Sequence, residues 1–333
     1  MKAAVVQTFG IPPQITEFRE PEAGSGETVI AVSAAPLSPI VKAIAAGAHY
    51  SGGTTAGFVP GVDGVGVDPQ GRRVYFLFPK PPFGSMAERS LAASDMLVPV
   101  PDVLADDLAA AISTAGLASW VALTRRARLA GGETVLVNGA TGAAGSMAVQ
   151  VARHLGAAKV IAVGRNRERL GELDADVRIA LDDNADVALR DEFDRGVDVV
   201  LDFIWGEPAM AVLKAAATNR GARTGEPRLR YVQIGNSAGV DIPLRADMLR
   251  SSGLELLGSG IGSVPVKELL AGAAELLAAA YGAGFKPAFT SVPLNDVAQV
   301  WNNDPSVRYI VQPARLSPVG ETLCRTSGPI ARV

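Results

Sequence analysis

The stretch Val135–Leu155, VLVNGATGAAGSMAVQVARHL, changes period in its middle. Val135 and Val137 belong to a short β-branched run, whereas Met147, Val151 and Leu155, with Ala148, recur at helical spacing on one face. A strand therefore ends where a helix begins, and Gly139, Gly142 and Gly145 stand between them, three apart. This is a near relative of the dinucleotide fingerprint, its first spacing longer by one residue. The first glycine permits the tight turn, the second brings backbone N–H groups to a pyrophosphate, and the third lets helix and strand pack closely, at the positive end of the new helix. A glycine triplet alone marks only a turn; strand before and helix after make it a nucleotide site formed by Gly139, Ala140, Thr141, Gly142, Ala143, Ala144 and Gly145.

The next apolar run, KVIAV, leads into GRNRERL. NAD-binding chains place an acidic residue near this strand end to hold the ribose 2′-hydroxyl. Gly164, Arg165, Asn166 and Arg167 stand here instead, small and cationic groups that suit a 2′-phosphate, so the spacing selects NADPH. A guanidinium fork matches phosphate oxygens, which favours Arg165 first and Arg167 second. The plainer alternative makes both arginines solvated charges at a helix start.

Further strand-length runs follow at Asp198–Phe203, Arg230–Ile234 and Leu254–Gly258, adding to Thr134–Asn138 and Lys159–Val163. Strands alternating with amphipathic stretches imply parallel pairing through right-handed crossovers, hence a doubly wound sheet. The first hundred residues differ: rich in Pro and Gly, with runs such as TVIAVSAA and GRRVYFLFPK, they read as strands and turns. Near Lys286 that texture returns in KPAFTSVPLNDVAQVW and SVRYIVQP. The last stretch, ARLSPVGETLCRTSGPIARV, has no sustained periodicity and reads as a surface tail.

A chain of 333 residues exceeds what one core usually fills, so two domains are expected. With 48% hydrophobic residues and a net charge of −3, it can bury real cores and has no basic field for nucleic acid. The opening MKAAVVQTFG is too short in apolar run for a signal peptide, and Val266–Phe285 is interrupted by Lys267, Glu268 and Glu275. No membrane partner is expected, and the one cysteine, Cys324, fits a cytoplasmic protein without a disulfide framework.

Together, GSMAER, VLVNGATGAAG, DFIWGEPA and YVQIGNSAG resemble the medium-chain dehydrogenase/reductase superfamily, and within it the zinc-independent quinone oxidoreductase branch. The resemblance runs from MKAAVVQTFG to SVRYIVQP. It implies an α/β protein: a Rossmann doubly wound parallel sheet over 116–285, a GroES-like β-rich domain over 1–115 completed by 286–316, and a tail over 317–333. It also implies an active site in the cleft between the domains and a homodimer formed through the last sheet strand.

Zinc-dependent members carry a cysteine in the region of PLSPIVKAIAAG and a Gly-His-Glu turn; here GVDGVG puts Val62 and Asp63 in place of His and Glu, and the cysteine is absent. With His49 and His154 far from ligand spacing, no metal site is expected. His154 reads as a solvated surface residue. Without zinc to polarise an oxygen, the electrophile must delocalise its own charge, as quinones and conjugated enones do. The resemblance thus implies an NADPH-dependent reductase of quinones or similar conjugated carbonyls. Two alternatives stand beside it: an enone or enoyl reductase of the same superfamily, and a non-catalytic NADPH-binding sensor.

Quinone oxidoreductase relatives carry Asn-Pro, an Asp two residues on, then Gly-x-Tyr. This chain has Ser38-Pro39, Val41, and Gly47 followed by His49 and Tyr50. Ser38, His49 and Tyr50 are the catalytic candidates, with Tyr50 or His49 serving the substrate oxygen or, alternatively, lining a loop. By position in the family pattern, Phe203, Ile204 and Trp205, then Gly235 and Asn236, then Gly258, Ser259 and Gly260 face the cofactor. Trp205 either covers the nicotinamide or substrate, or packs in the core.

Overall fold

The computed structural model describes residues 1–52, 55–217, 225–304 and 306–313. The tail expected over 317–333, Cys324 within it, and residues 314–316 lie outside the described residues. The run TVLVN forms β8 (Thr134–Asn138), in which Val135, Leu136 and Val137 are fully buried. Burial on both faces explains why its apolar residues are continuous rather than alternating, as in a central parallel strand.

Around it, β9 (Lys159–Gly164), β10 (Val177–Ala180), β11 (Val199–Asp202), β12 (Leu229–Gln233) and β13 (Leu254–Gly258) complete a six-stranded sheet in the order β10-β9-β8-β11-β12-β13. Every pairing in it is parallel. The order reverses between β8 and β11, the switch point at which such sheets bind ligands beyond the strands' carboxyl ends. Strand β10 has no counterpart among the predicted runs: its four residues, VRIA, include an exposed arginine and sit at the sheet edge.

The second sheet comes from both ends of the chain. Strands β3 (Glu27–Leu37), β4 (Asp63–Val67), β5 (Arg73–Leu77) and β7 (Leu97–Pro99) continue into β14 (Phe289–Pro293) and β15 (Arg308–Gln312), in the order β14-β15-β3-β4-β5-β7. Strand β6 (Arg89–Ala93) pairs with the other end of the long β3, and β1 (Lys2–Val5) pairs with β2 (Gln14–Glu17). The antiparallel register joins Leu37 of β3 to Tyr309 of β15, so residues 308–312 fill the sheet between β3 and β14.

Helix α2 (Asp106–Val121) joins the halves. It is apolar nearly all round and packs on β3, β4 and β15 of one sheet, and on α3 (Ala143–His154) and α8 (Val266–Ala283) of the other half. A helix buried on every side carries no polar stripe. Gly116 of α2 makes this possible locally: a Cβ there would stand 3.1 Å from Leu276 and 3.3 Å from Met147. One core accordingly contains Val65, Tyr75 and Ile310 together with Val137, Met147 and Leu276. The continuous segment Asp106–Ala127 is long and apolar enough to cross a membrane by composition, and 67% of its apolar stretch is buried inside the molecule.

Candidate active site

The glycine turn lies at the switch point. Gly139 has φ +86°, a left-handed conformation that favours glycine, and its N–H and that of Ala140 both bond Val163 O, at 3.0 and 2.9 Å, which locks the turn to β9. At Gly145 a Cβ would fall 2.1 Å from Gly139 O, so only glycine lets α3 enter this close. Helix α3 begins at Ala143, and the first N–H groups of any helix have no acceptor within it, so those of Ala143, Ala144 and Gly145 point outward as donors. Across the switch point a Cβ on Gly235 would stand 2.3 Å from Phe203 O, so the loops after β11 and β12 are pressed together. These close approaches form a cradle of backbone donors that fits the pyrophosphate of a dinucleotide.

At the end of β9, the structure separates the two arginines. Arg167 forms an ion pair with Asp182, and Asn166 caps helix α4 (Arg167–Glu172) by accepting from the Arg169 N–H at 3.0 Å. Arg165 is exposed and has no hydrogen-bond or ion-pair partner among the described residues. Its guanidinium is the free donor beside Gly164, where a Cβ would meet Thr141 Cγ2 at 2.9 Å.

Beneath the cradle is a polar cluster with no counterpart among the predicted site residues. Asp202, the last residue of β11, is fully buried. Its Oδ1 accepts from Asn138 Nδ2 at 3.0 Å and from the N–H groups of Ile204 and Trp205 at 3.1 and 3.2 Å, while the Tyr231 hydroxyl donates to Oδ2 at 2.9 Å. Burial raises its pKa and the two backbone donors oppose that shift first. The carboxylate thereby holds the turn in which Trp205 takes φ +54° and Gly206 φ +62°. The indole of Trp205 is half-buried and meets the Tyr231 ring edge-on at 6.4 Å, so it packs on the sheet beside the turn. The sequence signal is faint: one carboxylate closing the apolar run VVLD.

Of the remaining cofactor-side candidates, Gly235 O accepts from Gln233 Nε2 at 3.0 Å and Asn236 is exposed. Gly258 O accepts from Arg126 Nε at 2.7 Å, Ser259 is buried, and the Gly260 N–H bonds Ser263 Oγ at 2.9 Å.

On the barrel side, Ser38 precedes the short helix α1 (Pro39–Ala45), with Pro39 in its first turn. Ser38 occupies the capping position, yet its hydroxyl caps nothing: Oγ is buried without a protein partner. Tyr50 is 76% exposed, and its hydroxyl donates to Ile261 O at 3.0 Å, reaching across the cleft to the loop after β13. His49 stacks on Tyr50 with ring centres 4.3 Å apart and shares a 2.7 Å hydrogen bond with Ser51; partial burial lowers its pKa. These contacts occupy Tyr50 and His49 with each other and with the opposite wall. His154 is exposed, as its place on α3 suggests, but its ring is not free: it stacks on Trp120 at 5.8 Å and meets Phe285 edge-on.

Asp63 opens β4 and is 3% exposed. The Tyr75 hydroxyl donates to its Oδ2 at 3.0 Å, whereas Oδ1 has no protein partner. Burial, partly offset by Tyr75 and the charge of Arg308, pushes its pKa up to about 7. Among the described residues, no three His, Cys, Asp or Glu side chains gather as a metal-ligand set.

The zinc-binding dehydrogenase family matches residues 143–279. A probable NADPH-dependent quinone reductase of Emericella nidulans is 31% identical over 365 residues, 91% of this chain and 97% of that one. A phenolphthiocerol/phthiocerol polyketide synthase of Mycobacterium tuberculosis is 31% identical over 232 residues, which are 65% of this chain and 10% of that protein. The quinone oxidoreductase of Thermus thermophilus, solved also as its NADPH complex, superposes with a TM-score of 0.78 at 29% identity, over 94% of this chain and all of that one. The chain belongs to the medium-chain dehydrogenase/reductase superfamily, in its quinone oxidoreductase branch.

Proposed function

We propose that the protein is an NADPH-dependent oxidoreductase that reduces quinones or similar conjugated carbonyl compounds without zinc. The observation that carries this reading is the glycine cradle at the switch point, with the unpaired Arg165 at the end of the neighbouring strand. Bound NADPH supplies a hydride from its nicotinamide ring. The N–H groups at the start of α3 hold the pyrophosphate, and Arg165 takes the 2′-phosphate. The Phe203–Gly206 turn and the Gly235 loop shape the nicotinamide side, at the carboxyl edge of the sheet. Of the three catalytic candidates, Ser38 is the one whose hydroxyl has no partner among the described residues, and it is buried, so serving the substrate oxygen would require it to be uncovered.

Zinc-independence rests on Val62 and Asp63 in the metal-binding turn of zinc-dependent relatives, and on the Asp63 carboxyl being turned to Tyr75. A conjugated electrophile spreads the charge that hydride addition creates, so positioning and a few donors suffice. The substrate is a small molecule. A homodimer through β13 is supported by that strand's place at the end of the sheet, with Leu256 exposed on it. A soluble, cytoplasmic protein that contacts neither membrane nor nucleic acid is supported by the burial of the apolar helix α2 between the barrel-side sheet and helices α3 and α8, and by the small negative net charge.

The test is steady-state oxidation of NADPH across quinones, enones and simple aldehydes, with NADH as control. Turnover with quinones, none with aldehydes and a strong preference for NADPH are expected. Turnover with enones alone would move the protein to the double-bond reductases, and tight NADPH binding without any turnover would make it a sensor.

A further inference from the structure

Among the described residues of the nucleotide half, Asp202 is a buried carboxylate without a cation. The other buried charges there are paired: Glu192 with Lys159 and Arg195, and Arg230 with Glu133. Asp202 is fully buried, and its partners are four neutral groups that all donate: Asn138 Nδ2 at 3.0 Å, the Ile204 and Trp205 N–H groups at 3.1 and 3.2 Å, and the Tyr231 hydroxyl at 2.9 Å. An ionised carboxylate only accepts, so four donors are the surroundings of the anion rather than of the acid. Burial drives the Tyr231 phenol well above its usual range, which keeps it a donor. A buried charge is ordinarily balanced by an opposite one, so a fixed anion without a cation needs a reason.

Its place supplies one. Asp202 is paired in the sheet with Asn138, the residue before Gly139, so it lies where the strand order reverses between β8 and β11. Beyond it the chain turns through Phe203–Gly206, and this turn is wedged on both flanks. A Cβ on Gly139 would stand 2.8 Å from Ile204 Cγ2, and on the other side the Ala238 N–H bonds Ile204 O at 2.7 Å. The Ile234 and Gly235 N–H groups bond the Asp202 carbonyl at 2.8 and 3.1 Å. Side chain and backbone together fix the charge directly behind the turn.

A dinucleotide extends both ways from its pyrophosphate. With the pyrophosphate on the N–H groups that open α3, and the adenosine half directed to Gly164 and Arg165 at the end of β9, the nicotinamide half runs the opposite way, over the ends of β11 and β12. Asp202 lies beneath that half. Arg230 does not offset it, being near the amino end of β12 and spent on Glu133 and the carbonyls of Ala127 and Arg128.

The two forms of the cofactor differ by one charge, carried on the nicotinamide ring: neutral while it holds the hydride, positive once the hydride has gone. We propose that Asp202 is the counter-charge for the oxidised nicotinamide, a carboxylate fixed behind the Phe203–Gly206 turn that favours hydride release by balancing the positive ring. This rests on the cleft being a reductase site that holds NADPH. The hydride takes two electrons and one proton to the substrate, which is reduced as the cofactor is oxidised; Asp202 exchanges neither. Being fully buried, it touches neither cofactor nor substrate and is a positioning residue. Its hydrogen bonds hold the turn, and its charge is oriented before the positive charge develops, so no reorganisation is needed at that moment.

The experiment measures the dissociation constants of NADP+ and NADPH separately, by titration calorimetry on the full chain at a mildly alkaline pH, and compares their ratio between variants. Everything the two forms share, pyrophosphate and 2′-phosphate included, cancels in that ratio. By linkage the ratio is also the bias that the protein puts on the bound couple, so it reads how far hydride release is favoured. Asp202→Asn, of the same size, should weaken NADP+ relative to NADPH by roughly fivefold, the scale of a unit charge acting beyond contact in a protein interior. Tyr231→Phe and Asn138→Ala keep the carboxylate and should hold the wild-type ratio, whatever their effect on affinity for both forms. An equal loss for NADP+ and NADPH in Asp202→Asn is the mark of a purely structural role and would overturn the proposal. So would a fivefold shift in Tyr231→Phe or Asn138→Ala, and these two decide the matter if Asp202→Asn does not fold. Failure of wild type to oxidise NADPH with any quinone or enone would instead refute the reductase reading, which the binding ratio does not depend on.

Discussion

Two aspartates, each buried in its own sheet, differ in how far their hydrogen bonds are spent. Asp202, under the nucleotide cradle, accepts from Asn138, Tyr231 and two backbone N–H groups. Asp63, under the barrel side of the cleft, accepts from Tyr75 alone, with one oxygen left over. Each is pushed toward its protonated form by burial. The difference is in what opposes that push: four donors compensate Asp202 and make it a structural anchor, whereas Asp63, opposed only by Tyr75 and the charge of Arg308, has its pKa pushed up to about 7.

Substitution can break this contrast. Asp202→Ala strands the Tyr231 hydroxyl, the Asn138 amide and two backbone N–H groups, so a loss of at least about 3 kcal/mol in urea unfolding is expected. Loss of only a few tenths would mean that the anchor holds nothing. Asp63 should reveal itself in the pH dependence instead. Its folded pKa lies above its unfolded one, so the folded state binds more protons between them. Stability from this group is complete below a pH of about 4 and declines as pH rises to about 7. In Asp63→Asn that decline should be absent from unfolding midpoints measured across the same range; an unchanged slope would assign it to other groups.

Milder changes sharpen the same contrast on the exposed rims. Arg165 has no partner and no structural duty, so Arg165→Ala should leave stability alone and weaken NADPH binding by roughly 1–3 kcal/mol, with NADH little affected. Equal losses for the two cofactors in titration calorimetry would remove it from the 2′-phosphate. Tyr50→Phe should have the smallest effect, about 0.5 kcal/mol in unfolding, because it loses one exposed hydrogen bond to Ile261. A large fall in kcat would instead put the phenol on the substrate.

What was legible in the sequence follows from range. The strand, glycine turn and helix of Val135–Leu155 are local, and central parallel strands announce themselves as unbroken apolar runs. A doubly wound parallel sheet follows from alternating strands and crossover helices together with the family resemblance, whereas the order β10-β9-β8-β11-β12-β13 is seen only in the structure. Edge strand β10 was lost because VRIA mixes exposed and buried positions. Neither buried aspartate could be recognised: Asp202 is defined by Tyr231, 29 residues on, and Asp63 by a strand at the far end of the chain. Asp63 drew notice only as a departure from a metal motif. The pairing of Arg167 with Asp182, which leaves Arg165 as the free cation, also needed a partner 15 residues away.

Helix α2 has a mechanical consequence. Because it is lined by small residues and packed between the barrel-side sheet on one face and α3 and α8 on the other, the halves have no slip plane along its length. Interiors packed this closely are stiff and transmit strain rather than yield to it. The exposed hydrogen bond from the Tyr50 hydroxyl to the Ile261 carbonyl, by contrast, ties the two walls of the cleft through a single surface contact that solvent can replace.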